Sequence, residues 1–229
     1  MGACDPFDDA ELAALARTFA AGRLVDLRDR ALLTLGCSCP ARVSEMLVLS
    51  EAGVTEPDGR VAGMWHCAAA NSKTGVAVDY EIRAAAREAL EAWLPARRRA
   101  GYRRGDPLFP SLGRVGALTR QGAWSMVKRR CAAAGLRLRG KGTHSMKKTS
   151  INRAYDSRLA AVARGEQGVD PLRDTQAFSG HKSLDAMLCY LRPRTKAARA
   201  AGFEAAERSA RLLMVGGGGD GKERGQDGR

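Results

Sequence analysis

The periodicity of its apolar residues constrains this chain of 229 residues more than any other feature. Apolar side chains recur every three to four positions over most of its length, as in helices buried along one face. Leu12, Leu15 and Phe19 follow Asp8, Asp9 and Glu11, which predicts a helix over 8–21 with acids at its N-terminus. A second helix is expected over 26–36 and a third from near Pro40, with Val43, Met46 and Leu47 on one face. After turns at Gly53, Pro57, Asp58 and Gly59, residues 60–67 and 76–82 read as two short strands. Asn71-Ser72-Lys73-Thr74-Gly75 links them, which makes a hairpin with Lys73 near its tip.

The second half returns to helices. They are expected over 83–101 (interrupted near Pro95), 119–134 and 144–163. Asp170-Pro171 reads as an N-cap followed by proline at the first helical position, and Gly180 ends that helix. Ser183 can cap the next, whose stripe is Leu184, Met187, Leu188 and Leu191; Tyr190 falls off that stripe. A last helix is expected over 195–214, and residues 216–229, rich in glycine and charge, should be disordered. The expected architecture is mostly α with a small antiparallel β-sheet (α+β). Residues 1–7 form an extension, 8–215 one domain and 216–229 a tail.

Charge is distributed unevenly. The chain carries a net +13, yet residues 1–60 hold six Arg against ten acids. Residues 95–158 hold seventeen Lys and Arg against only Asp106 and Asp156. Such a stretch repels itself unless it faces a polyanion, so nucleic acid is the expected partner. The bland alternative is a solvated surface in a chain with thirty Arg and eight Lys. No apolar run approaches a membrane span, and an acidic N-terminus is unlike a signal peptide, so a cytoplasmic protein without a membrane partner is expected. The six cysteines lack C-x-x-C spacing, and several lie in apolar helical patterns as small hydrophobes, so structural cysteines in a reducing cytoplasm are expected. There is no phosphate-binding glycine loop and no carboxylate cluster suited to Mg²⁺, so no cofactor is expected.

Two of the three histidines lie in short polar contexts, Thr143-His144-Ser145-Met146-Lys147 and Ser179-Gly180-His181. His144 and Lys147 are three apart at a helix start, hence neighbours on one face, and Arg42 and Glu45 share that spacing. Singly, each has an ordinary reading as a surface charge, a cap or a loop residue. In order, Ala-Arg42-Val-Ser-Glu, Ser-Lys73-Thr-Gly, Thr-His144-Ser-Met-Lys147, Ser-Gly-His181 and Tyr190 resemble the catalytic domain of the tyrosine recombinases (phage-integrase family). The likeness runs from about residue 8 to 195.

The resemblance implies the tyrosine-recombinase catalytic fold and a site-specific DNA recombinase that works through a covalent 3′-phosphotyrosine, without metal or ATP. Tyr190 would be the nucleophile, Arg42, Lys147 and His181 the phosphate binders, His144 the proton acceptor and Lys73 the proton donor. It implies double-stranded DNA as substrate, a homo-tetramer on that DNA, and an accessory DNA-bending or directionality protein as a further partner. Alternatives are a type IB topoisomerase-like activity and a DNA-binding accessory protein with an attenuated pocket. The second is motivated by Lys147, where the family usually has Arg. The family's N-terminal core-binding domain is expected to be absent, since only some 25 residues precede the helix before Arg42.

Overall fold

Asp8 opens the first helix, α1 (Asp9–Ala16), through a capping box: its carboxylate accepts from the Glu11 amide while Glu11 accepts from the Asp8 amide. The computed structural model describes residues 4–113 and 116–191, together with 204, 206 and 207. Apart from those three, the helix expected over 195–214 and the tail expected over 216–229 lie outside the described residues. Residues 1–192 make one compact unit and 193–229 a second, in which the described Glu204, Ala206 and Glu207 are helical and exposed.

In the first unit α2 (Leu24–Ser38) is the central helix, burying Ala31, Leu32, Leu33 and Leu35 against both α4 (Ala84–Arg99) and α6 (Thr143–Ala163). Gly36 permits the close approach to α6: a Cβ there would stand 2.8 Å from Met146 Sδ. The short α3 (Val43–Leu47) follows Pro40, and a 3₁₀ turn spans Glu51–Val54. Strands β1 (Met64–Cys67) and β2 (Val78–Glu81) form the only sheet among the described residues. They are antiparallel, with Trp65 opposite Tyr80. Those two rings stack inward, centroids 4.5 Å apart, while His66 and Asp79 pair on the outer face at 2.7 Å.

Helices α5 (Arg120–Ala133), α7 (Pro171–Ser179) and α8 (Leu184–Leu188) complete the unit. Mostly helical with one small antiparallel sheet, the architecture is the expected one. The caps lie where the sequence puts them: Asp170 accepts from Leu172 and Arg173, Ser183 accepts from Ala186, and Gly180 adopts φ 65° behind α7. Phe7, 1% exposed, is part of the core, and its amide donates to Thr149 Oγ on α6.

Some expectations fail, beginning with α1, which stops at Ala16 rather than at 21. Helix α4 runs through Pro95 without interruption. Proline costs about 3 kcal/mol inside a helix, but Leu90, Trp93, Leu94 and Ala96 are all buried around it and Trp93 Nε1 bonds Leu108 O. Packing outweighs that cost. Helix α8 is also shorter than its apolar stripe suggests, ending at Leu188. Only Met187 of the stripe is fully buried, Leu188 is 45% exposed, and Tyr190 follows the helix rather than lying on it. No helix among the described residues is long and apolar enough to cross a membrane.

Candidate active site

Five of the six residues singled out by sequence meet at one cavity of about 230 Å³, lined by Arg42, Val43, Ser44, Lys73, Arg120, Thr143, His144, Lys147 and Tyr190. They arrive from four places. Arg42 precedes α3, Lys73 lies in the turn joining β1 and β2, His144 and Lys147 open α6, and Tyr190 follows α8. The sixth, His181, is off the cavity lining but packs on Tyr190, ring centroids 4.7 Å apart.

Each side chain has a local reason for its pose. Glu45, 1% exposed, accepts the Arg42 amide at 2.7 Å and the Arg42 guanidinium at 3.2 Å, which holds the arginine at the mouth of α3. The Oε2 that accepts the Arg42 amide also accepts the Tyr80 hydroxyl at 3.3 Å, tying β2 to the arginine. The extended Gly142 donates to Ser145 Oγ, starting α6 so that His144 and Lys147 share a face. Lys147, 3% exposed, places its ammonium 5.7 Å from the Tyr190 ring centroid, with Lys148 at 6.0 Å.

The electrostatics follow from crowding cations in a partly dry site. Burial, then the neighbouring Arg42, pushes the Lys147 ammonium down to about 8. Loss of water, then Arg42, Lys147, Lys73 and Lys148, holds His144 below its ordinary value, so it is neutral at pH 7 with a lone pair to accept a proton. His181 is pushed down to about 4 by burial and then by Lys147 and Arg42, and is neutral as well. Its Nδ1 lies 2.7 Å from Ser179 Oγ, and its Nε2 is buried with no hydrogen-bond partner. The Ser179 hydroxyl donates to Gln176 O at 3.1 Å, a carbonyl that also accepts from Gly180.

No family model matches the sequence, and no curated protein matches it. Solved structures do. The XerH site-specific recombinase, in its post-cleavage complex with palindromic difH substrate, matches 86% of this chain with 51% of its own at a TM-score of 0.61 and 20% identity. XerA recombinase matches 89% of this chain with 66% of its own, TM-score 0.62 and 19% identity. The Tn1549 transposon integrase bound to transposon right end DNA matches 87% with 65%, TM-score 0.54 and 15% identity. The chain has the tyrosine-recombinase catalytic-domain fold. It spans about half the length of the XerH chain and just under two thirds of the other two.

Within this recombinase fold the structure adds residues that motif reading passed over. Arg120, at the first turn of α5, is exposed and lines the same cavity. Ser179 orients His181. Asn152 on α6 donates to the main-chain carbonyl of Tyr190 at 2.8 Å. Arg120 carried a signal as a cation just behind the N-cap Thr119, and Ser179 stands two residues from His181; Asn152 acts through a contact 38 positions away that no short window reveals. Among the described residues no group of three or more His, Cys, Asp or Glu side chains could hold a metal ion.

Proposed function

We propose that residues 8–215 act as the catalytic domain of a site-specific DNA recombinase. The observation that carries this reading is a tyrosine sharing one cavity of about 230 Å³ with Arg42, Lys73, Arg120, His144 and Lys147. A phosphodiester resists attack until the charge on its oxygens is neutralised, and the pentavalent transition state adds to that charge. Arg42 and Lys147 face the space where those oxygens would sit, and His181, whose buried Nε2 has no partner, would add a third donor in the tautomer protonated there.

In the proposed step Tyr190 Oη bonds to phosphorus as the bond from phosphorus to the 5′-oxygen breaks. His144 accepts the tyrosine proton, and Lys73, on its exposed turn, gives a proton to the leaving 5′-oxygen. The products are a 3′-phosphotyrosine and a free 5′-hydroxyl. Attack by the 5′-hydroxyl of another strand reverses the step and rejoins DNA, so no ATP is consumed. An open cavity of about 490 Å³ lined by Trp124, Lys128, Arg137 and Arg139, with Asp5 as its acid, extends the cationic surface. It supports a grip on backbone phosphates. That the XerH and Tn1549 proteins are bound to DNA supports the same substrate, and a homo-tetramer on that DNA is the assembly this chemistry requires for exchange.

The test is capture of a covalent adduct from a random pool of nicked duplexes, in which the cleaved flank diffuses away and traps the intermediate. An adduct that survives denaturation with the wild-type chain and disappears in Tyr190→Phe is expected. No wild-type adduct, or one that persists in Tyr190→Phe, overturns the reading. A second reading, an attenuated DNA-binding accessory protein, rests on Lys147, whose ammonium is a point charge rather than a bidentate fork. It is favoured if only Lys147→Arg yields an adduct.

A further inference from the structure

Tyr190 is held by less than its importance requires. Helix α8 has five residues, of which only Met187 is fully buried, and Tyr190 lies beyond its end. Beyond the His181 ring against its own and its amide bond to Met187 O at 2.8 Å, what fixes the tyrosine comes from α6. Asn152, 6% exposed, is two turns beyond His144 and one beyond Lys148, so the three share a face. Its amide nitrogen donates to Lys148 O at 2.7 Å and to Tyr190 O at 2.8 Å. Both partners are carbonyls, so the amide has one possible orientation. The second bond crosses 38 positions of sequence.

We infer that Asn152 is a positioning residue that docks the Tyr190 backbone onto α6, so that nucleophile, proton acceptor and phosphate-binding Lys147 are all referenced to one helix of the same chain. The inference rests on the reading of Tyr190 as nucleophile. Lys147 and Lys148 approach the face of the tyrosine ring, while Asn152 holds its main chain. Without the tether the five-residue helix can swing about Met187, and a displacement of about 1 Å from the attacking position costs about 10² in rate.

Two variants separate the tether from the stability of α6. Asn152→Ala removes both bonds. Asn152→Ser keeps a donor able to back-bond to Lys148 O within the helix but is too short to reach Tyr190. Amide hydrogen exchange of the DNA-free protein and single-turnover adduct formation on nicked duplex are both measured. In both variants the Tyr190 and Leu191 amides should exchange faster than in the wild type, with the rest of α6 unchanged. Adduct formation should slow by about 10² while duplex affinity stays within about twofold and the melting temperature holds, because the contact acts on attack rather than on DNA binding. Unchanged exchange at Tyr190 in both variants, or adduct formation at the wild-type rate, overturns the inference. So does faster exchange throughout α6 with a lowered melting temperature in both variants, which is the mark of a merely structural residue. If the wild-type chain forms no adduct, the nucleophile reading fails while the exchange data still decide whether Asn152 holds Tyr190.

Discussion

Two sets of buried or half-buried cations in this molecule are treated in opposite ways. Arg97, at the C-terminal end of α4, is fully buried, yet its guanidinium bonds Glu51 at 2.7 Å and the carbonyls of Arg103, Asp106 and Pro107. Arg130 on α5 is likewise enclosed by Asp26 and Asp29, the Thr18 carbonyl and the Phe19 ring. Around Tyr190 the balance is reversed. Lys147 is buried too, and after that burial the strongest influence on its ammonium is another cation, Arg42, ahead of the Glu45 carboxylate. Arg97 and Arg130 are neutralised within the scaffold; Lys147 is crowded by Arg42, whose own partner is Glu45, which suits the phosphate site proposed for it.

The contrast can be broken most severely at Arg97. Arg97→Met should destabilise the fold by about 3–5 kcal/mol, because it strands a buried Glu51 carboxylate and several carbonyls; urea unfolding measures it, and an unchanged midpoint would remove the scaffold assignment. Lys147→Met should do the reverse, lowering adduct formation about 10²–10³-fold while the melting temperature stays level or rises. A fall in stability comparable to that of Arg97→Met would mean the two cations do not differ in kind.

A gentler probe uses pH. Lys147 is cationic below about 8 and neutral above it in the free protein, so phosphate binding must restore its proton there. Adduct formation should decline as pH rises past about 8, and Lys147→Arg, which keeps its charge, should push that decline to higher pH. Folding shows the linked effect. The unfolded lysine keeps its proton up to the ordinary 10.5, so the unfolded chain binds more protons between about 8 and 10.5 and stability rises with pH there. Lys147→Met should flatten that rise. The smallest effect belongs to Ser179→Ala, which removes the hydroxyl 2.7 Å from His181 Nδ1. It should slow adduct formation about fivefold, the worth of one neutral hydrogen bond, with DNA affinity unaltered.

Much of this was legible in the chain itself. The caps Asp8, Asp170 and Ser183 and the left-handed Gly180 act within four residues of themselves, so helix starts and stops could be read directly. The ordered pieces carrying Arg42, Lys73, His144, Lys147 and Tyr190 were visible too, and the fold brings them to one cavity. Helix continuity was not legible where packing overrides propensity. Pro95 stays helical because of Trp93 and its neighbours, and α8 stops short although its stripe continues to Leu191.

The sequence by itself determined which residues can do chemistry and in what order the elements carry them, because residue type, charge and local capping are properties of short windows. Only the tertiary structure decided which of the described arginines and lysines face an acid and which face one another. It alone placed His181 beside Tyr190 rather than on the cavity wall, and set Asn152 against the tyrosine carbonyl 38 positions away. Burial and Coulomb interaction depend on distance in space. Distance along the chain does not report it.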